Sequence, residues 1–420
     1  VTGFTMTEKI LARAAEGRAL RAGDEVQVRP DFILAYVFGG FVKFPRLIAK
    51  EFGIERLDAP ERFALFLDHN IPVTDARLEA RMAEVRHWCD AKGVEIHDGA
   101  GIGHVVASES GYASPGAFAV HFDGHISQLG AFGTLAVGIH IGIYEAFARP
   151  TIAFTVPETV RVKLTGQLAS GVMARDLIHH LIAQFGADFC NRKVLELSGS
   201  GLESLSLDDL QTITGLAMFT GALTAIAEPT ERVRDFVRNR ARLVLPPIVS
   251  DADAVYAADL VCNLDKVGPL VAVPPSSATI VPLSEVIGRP LQVGYLGSCV
   301  SGRLEDLRIA ASLLRGRRIN PGFTLNVVPS SREIMVRAAE EGLIAELASA
   351  GAFISSPTCS YCYGAVGALA SGQAAVSSGT LNIPGRMGSA EAEIYLASPA
   401  VVAASAIEGR LADPRGYLAR

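Results

Sequence analysis

Residues 291–316, LQVGYLGSCVSGRLEDLRIAASLLRG, read as an apolar strand, a loop of small residues and an amphipathic helix. The pattern then repeats. FTLNVV (323–328) is a second strand, PSS (329–331) a helix cap, REIMVRAAEEGLIAELASAG (332–351) a second helix and AFIS (352–355) a third strand. Strand and helix in strict alternation predict a doubly wound parallel sheet, in which ligands gather beyond the carboxyl ends of the strands. Cys299 directly follows the first strand. Cys359 and Cys362, in SPTCSYCYGA (356–365), follow the third, so three cysteines far apart in sequence are expected at one sheet rim.

Outward from this unit, GPLVAVPPSSATIVPLSEVIGRP (268–290) holds five prolines and few helix signals, and reads as an interdomain linker. Residues 1–267 form the larger α/β portion and 291–420 the cysteine-bearing domain. Hydrophobic residues at 49% against 20% charged residues suit large buried cores, and a net charge of −6 without any basic run excludes an electrostatic nucleic-acid footprint. A small-molecule partner is expected. The most apolar stretch, AFGTLAVGIHIGIYEAFA (131–148), is interrupted by His140 and Glu145, so it reads as buried core and no membrane partner is expected. The N-terminus shows no charged start followed by an apolar run, hence no secretory signal.

Six scattered cysteines do not form a secreted disulfide framework, and a reducing cytoplasm is the expected setting. Cys89, Cys190 and Cys262 sit beside apolar residues as small core side chains. The three loop cysteines admit a redox pair, a zinc site or an iron-sulfur cluster. A CxxC redox pair leaves Cys299 unexplained, and zinc usually takes a further protein ligand. Three thiolates on a cubane cluster leave one iron open to water or substrate, where it acts as a Lewis acid.

Two Asp-His neighbours suit proton transfer. Asp68-His69 lies in LFLDHNIPVT (65–74), and Asp123 and His125 in AFAVHFDGH (117–125). In an extended segment residues 123 and 125 share one side, and an Asp beside a His fixes its tautomer and favours its charged form. Loop-capping Asp and core His would give the same pattern. His97, His121, His140, His179 and His180 are read as structural.

GSCVSGRLEDLRIAA, SPTCSYCYGAVGALASGQ and SSGTLNIPGRMGSAEAEIYLASPAVVAASAIEGRLADPRG together resemble the aconitase superfamily, in particular the large subunit of its 3-isopropylmalate dehydratase and homoaconitase branch. The likeness continues upstream through MTEKILARAAEG, GDEVQVRPD, LDHNIPVTD, GIGHVVASESGYASPG, FDGHISQLGAFGTLAVGI and VKLTGQLASGVMARDLIHHLI, nearly the whole chain. It implies three-layer α/β domains packed around a [4Fe-4S] cluster held by Cys299, Cys359 and Cys362, with one iron not ligated by protein. It further implies a hydro-lyase acting on a hydroxy acid, with Asp68, His69, Asp123 and His125 as catalytic residues. His104 matches a family motif and is given no catalytic role. The resemblance implies an active site completed by a swivelling domain carrying a catalytic Ser; that domain is expected to be absent from this chain, with a separate small subunit as the expected partner.

Departures from the family pattern share a direction. Asp-Ser-His becomes Asp123-Gly124-His125, Cys-Thr-Asn becomes Cys299-Val300-Ser301, and polar pocket residues become LAYVFGGF (34–41). Asn-Met-x-x-Glu becomes Gly215-Leu216-Ala217-Met218-Phe219. One of two substrate-binding arginines becomes Leu381, while Arg386 remains. Arg386, Ser301, Phe219 and Leu381 are thus the expected substrate-facing positions. Leu cannot replace an Arg-carboxylate bond, so the expected substrate has fewer carboxylates, or a more apolar substituent, than citrate or isopropylmalate. The competing expectation is a cluster-binding homologue without dehydratase activity, serving a regulatory, scaffold or otherwise repurposed role.

Overall fold

FILAY (32–36), FALFL (63–67) and VLELS (194–198) are buried at every position, as strands are when helices cover both faces of a parallel sheet. The computed structural model describes residues 2–37, 48–51, 53–57, 59–73 and 75–418; within LAYVFGGF, positions 38–41 lie outside the described residues. A first sheet has five parallel strands in the order Glu95–Asp98, Phe63–Leu67, Phe32–Tyr36, Phe118–His121, Leu135–Gly138. A second has four parallel strands, Thr224–Ala227, Val194–Ser198, Thr159–Thr165 and Ala258–Asn263.

The third sheet carries the cysteine loops. Its parallel part runs Glu393–Leu396, Ala374–Ser377, Val293–Leu296, Thr324–Val327, Phe353–Ile354. Two antiparallel strands, Leu270–Ala272 and Ile280–Pro282, extend it at one edge. These fall within residues 268–290, which the prolines had marked as a linker. The prolines are compatible with pairing because they flank the hairpin, occupy its turn, or end an edge strand, where no ladder N–H is needed. The single long helix expected over 332–351 is also two helices, Arg332–Glu340 and Leu343–Ala350. Gly342 between them has φ +75°, which no right-handed helix contains.

Helix limits follow local chemistry. Asp75 caps Ala76–Lys92 by accepting from Arg77 N, and left-handed Gly93 ends it. The helix buries Met82, Val85 and Cys89, spaced by three and four residues, against the first sheet's core. The apolar stretch 131–148 forms the buried strand Leu135–Gly138 and the short helix Ile143–Ala148. Among the described residues no helix is long and apolar enough to cross a membrane.

Chain order locates the functional end of each sheet. From Phe32–Tyr36 the first sheet grows to one side through Phe63–Leu67 and to the other through Phe118–His121; from Val293–Leu296 the third grows through Thr324–Val327 and through Ala374–Ser377. Each reversal opens a crevice at the carboxyl ends of the strands. Tyr36, Asp68, Asp123, Cys299 and Ser378 all stand at or just past those ends.

Candidate active site

Cys359 Sγ and Cys362 Sγ lie 3.2 Å apart, and the Cys299 thiol is within hydrogen-bonding reach of both. All three are buried and none is in a disulfide. A buried polar network holds their loops. Gln128 Nε2 donates to Cys299 O, while fully buried Arg303 donates to Gln211 Oε1 (2.7 Å), Thr212 Oγ1 (2.9 Å), Val300 O (2.9 Å) and Gln128 Oε1. Hydrogen bonds from the Cys299 and Cys359 thiols hold Cys362 well below the ordinary thiol range against its burial, with Arg386 and His69 adding to the effect. Arg386 Nη2 approaches Cys362 Sγ to 3.9 Å.

The two rims are bonded to one another. Cys359 N donates to Asp68 O at 2.9 Å, Asn70 N donates to Ser360 Oγ at 2.9 Å, and Tyr363 Oη donates to Asn70 Oδ1 at 3.1 Å. Asp68 is buried just beyond Phe63–Leu67, with Oδ1 2.6 Å from His69 Nδ1 and Oδ2 accepting from Gly103 N at 2.8 Å. Glycine is required at 103, since a Cβ there would stand 2.8 Å from Phe66 Cβ. Burial acts to lower His69, but the charge and hydrogen bond of Asp68 outweigh it, and the imidazole is raised above its usual range.

Asp123 caps the nine-residue 3-10 stretch Gly124–Phe132: its Oδ1 accepts from His125 N at 2.7 Å and lies 2.9 Å from His125 Nδ1. Burial acts to raise Asp123; the charge and hydrogen bond of His125, then His104 and His121, prevail and hold the carboxyl well below the usual carboxylate range. The loop presses against Gly138, where a Cβ would come within 2.7 Å of Gly124 N and Cα. Gly124 itself has room, its own added Cβ meeting only Met218 Cε at 3.6 Å.

His69, the Asp123–His125 pair and the three thiols share one cavity of about 170 Å³, whose wall also includes Tyr36, His104, Tyr363 and Arg386, while buried Asp68 stands behind His69. Phe219 is half-buried, its ring centroid 6.5 Å from that of His125, and Leu381 is half-buried; neither is among the lining residues. Ser301 is buried, its hydroxyl 2.6 Å from Ser378 Oγ, and it is not among the lining residues either. Tyr36, His104, His121 and Tyr363 join the site without having been read as functional. Their signal was positional, at the ends of apolar strand-like runs or inside the motifs already quoted.

Among the described residues no trio of His, Cys, Asp or Glu surrounds a single metal-ion position, and no fourth cysteine lines the cavity. Three thiols converging on one cavity are a donor set that fits a group taking one thiolate on each of several irons.

The aconitase family model (aconitate hydratase) matches residues 55–292 and 286–409. The chain is 37% identical over 420 residues to 3-isopropylmalate dehydratase large subunit 1 of Methanopyrus kandleri, covering 99% of this chain and 100% of that one. It is 35% identical to the probable methanogen homoaconitase large subunit of Methanothermobacter thermautotrophicus, over 98% of each chain. It is 35% identical to the 3-isopropylmalate dehydratase large subunit of Aquifex aeolicus, over 98% of this chain and 97% of that one. With two Asp-His pairs and three thiols at the rims of its parallel sheets, the chain belongs to the aconitase family as one of its large-subunit hydro-lyases.

Proposed function

We propose that this hydro-lyase adds or removes water at a hydroxy acid with fewer carboxylates, or a more apolar substituent, than citrate or isopropylmalate. The observation that carries the reading is the single cavity in which His69, the Asp123–His125 pair, the three thiols and Arg386 meet. Cys299, Cys359 and Cys362 are the residues that would hold a [4Fe-4S] cluster, with one iron left open to substrate. When bound, that iron supplies Lewis acidity to a hydroxyl and a carboxylate. The chain's own residues manage the protons. His69, raised by Asp68, carries a proton suited to a departing hydroxide. Asp123 stays ionised and accepts a hydrogen bond from the Nδ1–H of His125, which leaves the unpartnered His125 Nε2 as the proton acceptor. Arg386 grips one carboxylate, its buried Nε having no protein partner. Phe219 beside His125 and Leu381 in place of an arginine support the less polar substrate. The names of the matched relatives as large subunits support a small-subunit partner closing the cavity, which native mass spectrometry of protein from its own source would detect.

Anaerobic reconstitution with iron and sulfide counting tests the cofactor: about four irons per chain are expected for a cubane cluster, lost in Cys359→Ser. Spectra recorded with and without hydroxy acids then test the open iron, which responds to a bound substrate. Leu381→Arg is expected to turn over an ordinary 2-alkylmalate that the wild type handles poorly. Strong wild-type activity on citrate or isopropylmalate would overturn the substrate assignment.

A further inference from the structure

Tyr36 ends the central strand of the first sheet, at the point where the strand order reverses. Its phenol Oη donates to Asp123 Oδ2 at 3.1 Å, leaving Oδ1 to His125. Its ring centroid lies 4.6 Å from that of His69 and 5.4 Å from that of His121. The side chain is buried and forms part of the cavity wall. One residue therefore touches the carboxylate of one Asp-His pair and the imidazole of the other.

We propose that Tyr36 is a positioning residue for the hydro-lyase reaction: its hydroxyl fixes the rotamer of Asp123 so that His125 presents Nε2 to the cavity, while its ring fixes the face of His69. This rests on the reading of Asp123 and His125 as proton carriers. The geometry leaves Asp123 little freedom. Its backbone N–H is taken by His121 Nδ1 at 2.8 Å, its Oδ1 by His125 N and Nδ1, and its Oδ2 by the phenol. Removing only the phenol oxygen frees Oδ2. The carboxylate can then rotate about its last torsion, a soft one for Asp, and the tautomer of His125 loses its anchor. The phenol remains a donor throughout the working range, because burial, followed by the charge of Asp123, pushes its ionisation far above the usual tyrosine value.

Tyr36→Phe keeps the ring and removes the bond. In the full chain without iron, histidine 15N resonances are expected to show His125 as the Nδ1–H tautomer in the wild type and as a mixture in Tyr36→Phe. In the reconstituted enzyme, kcat is expected to fall about tenfold or more, as for loss of a hydrogen bond to a charged group, with KM little changed. In an Asp123→Asn background the same substitution should have almost no further effect on kcat, because residues acting through one another are not additive. An unchanged His125 spectrum in Tyr36→Phe overturns the proposal even if kcat falls, and so does full additivity with Asp123→Asn. Should Tyr36→Phe fail to fold, the 13Cζ resonance of Tyr36 reports the bond from the other side: it shifts in Asp123→Asn if the bond exists, and an unmoved resonance overturns it. Absence of turnover on every hydroxy acid tried would instead count against the proposed function, leaving the spectra to decide the role of Tyr36.

Discussion

The cysteine rim and the acid-base rim face the same cavity, yet their polar atoms are treated in opposite ways. Around Cys299 all three Arg303 guanidinium nitrogens, both Gln128 side-chain polar atoms and the Ser301 and Ser378 hydroxyls find protein partners. Around Asp123 three ring nitrogens, His104 Nδ1, His121 Nε2 and His125 Nε2, are buried without one. A buried polar atom left unpaired costs about 1–3 kcal/mol, so the second rim is held in a state that only a ligand, a water or a transferred proton completes. The loop around Cys299 is a finished holder, although Arg386 Nε, Thr380 Oγ1 and Ser330 Oγ elsewhere on that rim are buried without a partner. The acid-base rim keeps its proton-handling atoms available.

Three measurements sharpen this contrast. The largest expected effect is in the acid-base rim: Asp68→Asn, which still accepts from Gly103 N but no longer charges His69, should lower kcat by about 10³-fold while thermal stability changes little. A melting temperature that falls as sharply as the rate would mean that Asp68 is a structural residue. The converse holds for the holder. Arg303→Met should strand the acceptors of Gln211, Thr212, Gln128 and Val300 and destabilise the chain by about 3 kcal/mol or more, read from urea unfolding.

The smallest effect is a pH dependence. Asp306 accepts from Gly302 N at 2.8 Å and Arg303 N at 3.2 Å, and burial pushes its carboxyl up to about 7, against the pull of Arg303. A carboxyl whose folded value exceeds its unfolded value of about 4 binds its proton more tightly when folded. Its contribution is fully present below pH ~4 and is lost as pH rises through ~7, by up to about 4 kcal/mol. Glu109 and Asp176 are raised to about 7 by burial as well, so melting temperatures should decline from pH 5 to pH 8. Asp306→Asn should flatten part of that decline; an identical slope in the variant would remove Asp306 from the account.

The alternation of strands and helices after residue 291, the three cysteines and the two Asp-His pairs were legible because each signal is local. A strand's apolar run and the loop directly after it are read from a dozen residues. What escaped depends on distant partners. Residues 268–290 join the sheet only through Ala272 opposite Leu396, a pairing that no local proline count reveals. Ser301 meets the hydroxyl of Ser378, 77 residues on. Tyr36 sits in an apolar strand sequence and gains its meaning from Phe118–His121 pairing beside it, which brings Asp123 to its hydroxyl. His104 and His121 likewise meet only because a helix start and a strand end converge, with ring centroids 5.0 Å apart.

The loop that carries Asp123 and His125 also bears on the mutational history open to this chain. Gly138 is locked, since any side chain there collides with the Gly124 backbone. Gly124 is not: its backbone lies outside the left-handed region and its missing Cβ would meet one flexible methyl group at ordinary contact distance. A serine hydroxyl can therefore return beside the Asp-His pair by a single substitution without rebuilding the loop. The glycine at 124 is a reversible difference in chemistry, whereas the one at 138 is a fixed condition of the backbone.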